Sequence, residues 1–376
     1  MASGYQLILN GTAADDALYE ALTGLEVEEN ADLPGAFQFS LPVNRADDGN
    51  LTYATDPRFA PYSTIAVVTS LDGQDDECIF DGVLLSGKLH LETGVANSSL
   101  ELWGQDYSWM MNVEEKVVEW TGTEVDTAAS IFGNYGIQPA PDNSNDDSPS
   151  HTEDGHTLMQ RQTDIQFLRG LARRNGRLCR VYAQSTPGDR IGYFARPDLT
   201  ADPVATLNCT DPANWTVNAL DIEWDVTRPT VVNAGQALFT DSDPNSATVS
   251  QTDSGLAPLD ANDLSTFAGQ DNTVILTTTV DDSGELTDRA QAVLIEAGWF
   301  VRCEGETDAN HLNAILRVGD IVAIEGIGSL HSGNYFVWSV RHTIDKVAHK
   351  MKFVLVRNAV GQNDLSGGGL LGSVGL

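Results

Sequence analysis

The chain has 376 residues and a mass of 40.4 kDa, with 41% hydrophobic and 7% aromatic residues, enough for two or three domains that each bury a core. Its 54 acidic residues against 21 basic ones leave a net charge of −33. That balance excludes stable nucleic-acid binding by phosphate neutralisation and attraction to anionic membrane surfaces. No apolar run is long enough to span a bilayer, so no membrane insertion is expected.

Only five of the basic residues are lysines. An acidic, lysine-poor surface fits a high-salt habitat, where ions screen self-repulsion. It fits equally a GC-rich genome and work inside a crowded acidic assembly. The N-terminus has no basic region and turns acidic by Asp15, so no secretion signal is expected. Cys78, Cys179, Cys209 and Cys303 are widely spaced and form no C-x-x-C; buried free thiols in strands are the expectation.

Residues 1 to about 105 read as antiparallel β. Tyr5 to Leu9 is a first strand, and Leu25 to Glu29 and Phe37 to Leu41 flank the turn-forming Asp32-Leu33-Pro34-Gly35. Phe37, Phe39 and Leu41 share one face. Thr64 to Thr69, Cys78 to Leu85, Lys88 to Thr93 and Ser99 to Trp103 continue the meander, the pattern of a barrel or sandwich.

Residues 106 to about 205 change character. Thr123-x-x-Asp126 opens a helix with Val125, Ala128, Ala129, Phe132 and Tyr135 in register, closed by Gly136. A polar loop runs from Pro139 to Gly155. In Thr163 to Ala183, Thr163 or Asp164 can cap a helix that places Ile165, Leu168, Leu171 and Ala172 on one face. Arg169, Arg173 and Arg174 suit its C-terminal end, and Gly176 stops it. A strand follows, with Cys179, Val181 and Ala183 on one side.

Residues 206 to about 360 return to β. Val217 to Val226 and Val231 to Phe239 read as strands. The polar, acidic stretch inserted at about 240–285 reads as a long loop or flap. A helix at Leu286 to Ala297 runs into a strand at Trp299 to Glu304. Gly319-Asp320 and Gly333-Asn334 are turns before buried strands, and Met351 to Arg357 is the last strand. The Gly- and Ser-rich segment 361–376 reads as a flexible tail.

Catalytic motifs are absent: there is no G-x-S-x-G, H-E-x-x-H or P-loop. Gly326-Ile327-Gly328 starts like a dinucleotide loop, but His331 stands where the third Gly belongs. His151 and His156 with Glu153 and Asp154, the calcium-like runs from Asp142 and Asp241, and the pair Glu114-Glu115 all read better as solvated loop groups than as metal or glycosidase sites. His342 reads as a structural histidine. No catalytic, cofactor-binding or metal residue is assigned, no cofactor is expected, and the chain is expected not to be an enzyme.

Three blocks resemble one family. Asp164, Phe167, Leu168, Leu171, Ala172 and Gly176 fit "D-x-x-F-L-x-x-L-A-x-x-x-G". Phe80-Asp81-Gly82-Val83 and Trp103-Gly104-Gln105-Asp106 fit "F-x-G-x-V/I" and "G-x-D". Leu316-Arg317-Val318-Gly319-Asp320-Ile321-Val322, Gly333-Asn334-Tyr335-Phe336-Val337 and Val340-Arg341-His342 fit "L-x-x-G-D-x-V … G-x-Y-x-V-x-x-V-x-H". In order and spacing these resemble phage tail and baseplate hub proteins, the late control protein D family, and the related N-terminal part of valine-glycine-repeat spike proteins.

The resemblance implies a β-dominated α+β fold: two tail-tube-like antiparallel β-barrel domains, at 1–105 and 206–360, with a small α+β domain inserted at 106–205. It further implies a homotrimer that adapts a hexameric tail tube protein to a trimeric central spike protein among other baseplate proteins of a phage or contractile injection system. The place of action would be the virion tail or injection-particle baseplate, assembled in the host cytoplasm, with part of the negative charge lining the lumen. The competing readings are a secreted or surface β-rich calcium-binding interaction protein, and a hub with cell-wall hydrolase activity.

Overall fold

The computed structural model describes residues 4–47, 49–93, 98–144, 148–152, 158–236, 246–280 and 283–362. His156, Glu153, Asp154, the run from Asp241 to Asn245 and the tail beyond Gln362 lie outside them. The run from Asp142 is described only in part.

Alternation builds the first region as expected. Phe37, Phe39 and Leu41 are buried on one face of the Ala36–Pro42 strand, which pairs with Gly24–Asn30 on one side and Ser99–Asp106 on the other. Two strands expected at 78–85 and 88–93 are one, Glu77–His90. Ser86-Gly87 carries no turn there, because a register shift between Leu84 and Ser86 lets the strand keep pairing with Ser99–Asp106. A short helix, Asp16–Ala21, follows the first hairpin, capped by the Asp15 carboxylate, which accepts from the Leu18 amide at 2.8 Å.

The expectation of two barrels needs correction. One 13-stranded sheet takes in strands of both β-rich regions, and among the described residues no pairing closes it into a barrel. Its centre is the antiparallel pairing of Gly24–Asn30 with Gly333–Ile344, in register from Ser339↔Asn30 to Ile344↔Leu25. The core follows the sheet: one hydrophobic cluster includes Phe37 and Phe80 from the first region and Phe300, Phe336 and Phe353 from the second.

Residues between these strands carry a separate cluster. The Glu124–Gly133 helix is capped as its sequence predicts, with the Asp126 amide donating to the Thr123 hydroxyl at 3.0 Å. Its Phe132 packs with Phe167, Leu168 and Leu171 of the Asp164–Arg174 helix and with Phe194. At the second helix the cap differs. Thr163 occupies the capping position, but its hydroxyl donates to Asn112 instead, at 2.8 Å. Leu178–Ala183 then alternates, burying Cys179, Val181 and Ala183.

The stretch expected as a loop or flap at 240–285 is folded among its described residues. Ser246–Ser250 pairs antiparallel, and Thr273–Thr277 parallel, with Val231–Gly235. The Ser283–Gly298 helix covers one face of this three-stranded sheet, burying Leu286, Ala290 and Leu294 against Val232, Ala234 and Val249. Between them lie the short Asn262–Asp263 strand and the Leu264–Ala268 helix.

Candidate functional site

The residues of the three sequence blocks are structural keystones. Gly82 and Gly104 sit on neighbouring strands, and a Cβ on either would lie 2.1 Å from a backbone oxygen of the other strand, that of Gln105 or Val83. Only glycine fits so close an approach. Asp106, ending the "G-x-D" strand, is buried and accepts from the amides of Gly35 and Ser108. Burial raises its pKa, and those hydrogen bonds hold the rise in check.

Asp164 gathers the middle region. Its carboxylate accepts from Lys116 Nζ at 2.6 Å, Gln160 Nε2 at 2.6 Å and Tyr135 Oη at 2.7 Å. Burial would raise its pKa, but these partners outweigh burial and the net shift is downward. Gly176, left-handed at φ +64°, lies against the Ser283–Gly298 helix, where a Cβ would come within 2.6 Å of Ile295. The glycine that ends one helix therefore also lets the second region dock on it.

A cavity of ≈ 370 Å³ is bounded by all three parts of the chain, Glu29 and Glu77, Arg180 and Tyr182, and Arg317 and Asp320, and of the sequence blocks it is the third that lines it. Arg317 is its centre. Its Nε donates to Glu29 Oε1 at 2.5 Å, its Nη2 to the Ala183 carbonyl at 3.4 Å, and its Nη1 lies 3.5 Å from Glu77. Burial alone would lower its pKa, but Glu29 and Glu77 carry the net shift upward. The Asp320 carboxylate accepts from the Arg317 amide at 2.8 Å, and burial pushes its pKa up to about 6. Arg180 lies over the rings of Tyr182 and Tyr193, at 4.4 and 5.4 Å. Burial lowers its pKa.

Behind Glu29 lies a second buried group. His342 Nδ1 and His349 Nε2 share a hydrogen bond of 2.9 Å, and His342 Nε2 lies 3.8 Å from Glu29 Oε1. Burial lowers both pKa values, that of His349 to about 4. His342 is thus a buried core histidine facing another. His151 is buried too, with Nε2 3.2 Å from Glu124 Oε1, so it is a packed group where solvent exposure was expected. Glu114 and Glu115 are exposed, and Gly326 and Gly328 are left-handed turn residues.

This arrangement holds parts together by paired charge. All four cysteines are free and buried, and burial pushes Cys78, Cys179 and Cys303 to about 12, so they stay protonated, weakly nucleophilic thiols. Among the described residues no group of three or more His, Cys, Asp or Glu is placed to hold a metal ion, and no helix is long and apolar enough to cross a membrane. Sequence reading missed Glu29 and Glu77 as junction residues. Glu29 had a signal: it shares parity with Leu25 and Val27, and an acid on the buried face of a strand calls for a buried partner.

A tail protein from Neisseria meningitidis MC58 has a similar structure, with a TM-score of 0.66 and 14% identity over 95% of this chain and 97% of that one. So does the 43 kDa tail protein of prophage MuSo2 from Shewanella oneidensis, with a TM-score of 0.67 and 13% identity over 96% and 100%. The E. coli c3393 protein, a component of the type VI secretion system, matches with a TM-score of 0.54 and 10% identity over 96% of this chain and 77% of that one. The fold is therefore that of phage and type VI tail proteins, as the sequence blocks implied. No curated protein sequence matches the chain. The family described as the Alg8 N-terminal domain matches residues 25–346, most of both β-rich regions and everything between them, and the chain belongs to that family.

Proposed function

We propose that the chain is a structural hub of a phage-like tail or baseplate, a trimeric adaptor between a hexameric tail tube and a trimeric central spike, without enzymatic activity. The observation that carries this reading is coverage. The fold matches the Shewanella prophage tail protein over 96% of this chain and 100% of that one, so the likeness runs through the tail protein's whole length and is not confined to one shared module. Two β-rich regions fused through Gly24–Asn30 and Gly333–Ile344 support it further. A subunit that presents two tube-like surfaces lets three copies offer six.

In this reading the tube and spike proteins dock on opposite faces of the ring. The Arg317–Glu29 junction keeps the two tube-like parts at a fixed angle, so that the ring stays regular. Part of the −33 charge faces the lumen and keeps a passing polyanion from sticking. The place of action is the tail or baseplate of the particle.

Light scattering of the purified protein over a range of salt concentrations tests the reading. A species with about three times the 40.4 kDa chain mass, favoured by salt that screens self-repulsion, is expected. A chain that never forms trimers, alone or co-expressed with tube and spike proteins, would sink the hub.

A further inference from the structure

The small sheet ends in an edge strand unlike the rest of this acidic surface. Thr273–Thr277 reads Thr-Val-Ile-Leu-Thr and, among the described residues, pairs only on one side, with Val231–Gly235. Val274 and Leu276 point toward the covering helix cluster, while Ile275 is 82% exposed on the open face. No charged residue occurs between Asp271 and Asp281. A free edge with β-branched residues and no charge is what soluble proteins ordinarily avoid. The outermost strand of the large sheet, Ala219–Trp224, carries Asp221 and Glu223.

The backbone geometry narrows what such an edge can take. The Asn272 carbonyl accepts from Thr230, and the Thr278 amide donates to Gly235, so the even-numbered residues turn their polar groups inward. Thr273, Ile275 and Thr277 therefore turn their N–H and C=O groups to the free side. The segment is also nearly palindromic. Laid antiparallel on itself about Ile275, it sets Thr opposite Thr, Val opposite Leu and Ile opposite Ile. In that register the outward groups form hydrogen-bonded pairs, with about six backbone hydrogen bonds in all. Each Asp271 then lies opposite a Thr279, so no acids meet.

We propose that Thr273–Thr277 is a self-association edge, on which a second copy of this chain pairs antiparallel across a two-fold axis through Ile275 and extends the sheet from three strands to six. Two copies of net charge −33 repel at almost any approach, and contact is cheapest where the surface is uncharged and apolar. The opposite edge strand, Ser246–Ser250, is uncharged too, but it exposes only Ser246 and Thr248. Pairing there would remove no apolar side chain from water.

Sedimentation velocity of the full chain over a range of concentration and salt is the test. The wild type should show a step that doubles the mass, strengthened by salt. Ile275→Lys should weaken that step at least about tenfold by putting two like charges face to face. Ile275→Pro should do the same, since the N–H it removes points away from its own sheet. A cysteine reports the register: Ile275→Cys should oxidise to a linked dimer, and Thr248→Cys on the opposite edge should not. The proposal is overturned if the wild type shows no doubling, if Ile275→Lys associates like the wild type with an unchanged melting curve, or if both cysteines cross-link alike. A trimer indifferent to Ile275→Lys would leave the hub standing and remove only this edge. Doubling without a trimer would do the reverse.

Discussion

Where Gly24–Asn30 meets Gly333–Ile344, the two β-rich regions join through backbone, six residues from each strand in antiparallel register. Where the middle region meets the first β-rich region, at Asp81 and Asp32, it joins through side chains. Arg190 Nη2 donates to Asp81 at 2.9 Å, the Gly188 amide donates to the same carboxylate at 2.8 Å, and Arg173 reaches Asp32 at 2.7 Å. A backbone seam is insensitive to any single side chain except one that buries charge. A side-chain seam is only as strong as its most buried pair. The first should act as one cooperative unit with the core, and the second should be able to loosen by itself.

The sharpest way to break the comparison is Arg317→Ala. It leaves Glu29, only 7% exposed, without its cation, and the expected loss is about 3–5 kcal/mol in urea unfolding. Glu29→Gln combined with Arg317→Met should recover much of it, because the cost lies in the orphaned charge.

Acidification attacks the same seam. The folded-state pKa of His349 is depressed from 6.5 to about 4, so the unfolded chain binds more protons between those values. Stability is then fully present above about 6.5 and falls as pH drops toward 4, by on the order of 3 kcal/mol from this group. Asp320 acts in the opposite sense. Its folded pKa is raised from 3.8 to about 6, so its contribution is present below about 3.8 and is lost as pH rises through 6. Asp320→Asn should therefore steepen the acid-side loss, which thermal melts between pH 4 and 7 would register. A flat profile in that variant would contradict the buried histidine pair.

A smaller and more local effect is expected at the middle seam. Asp81→Ala removes the acceptor of both Arg190 and the Gly188 amide, at a cost of about 1.5–3 kcal/mol. Hydrogen exchange should accelerate in the Arg190–Ala195 strand before it does in Gly333–Ile344. Equal acceleration in both would erase the distinction between the seams. Smallest is Arg341→Ala. The Arg341–Glu28 pair bridges the same two strands at 2.6 Å, but its side chains are 52% and 41% exposed, and the unfolding free energy should change by less than about 1 kcal/mol.

The local grammar of the chain was legible in its sequence. Alternation placed Phe37, Phe39 and Leu41 inside, helical spacing placed Ile165, Leu168 and Leu171 inside, and Gly176 stopped its helix. The motif glycines were visible as motif, but their reason was not: a Cβ clash with a facing strand at Gly82 or Gly104 exists only once the strands pair. The strand at 273–277 escaped because its apolar run is only three residues long, Val274 to Leu276, inside a polar, acidic stretch, and its partner lies some forty residues earlier.

Sequence by itself determined the class: β-dominated with two inner helices, thiols left free, a net charge of −33, and three ordered blocks that pointed to the tail-protein fold. Tertiary structure decided how the parts are joined. Arg317 and Glu29 are 288 residues apart, and periods of two or 3.6 residues carry no information at that range. Only the pairing of Gly24–Asn30 with Gly333–Ile344 brings such groups within hydrogen-bonding reach, and burial then fixes which charges pair and which protons stay.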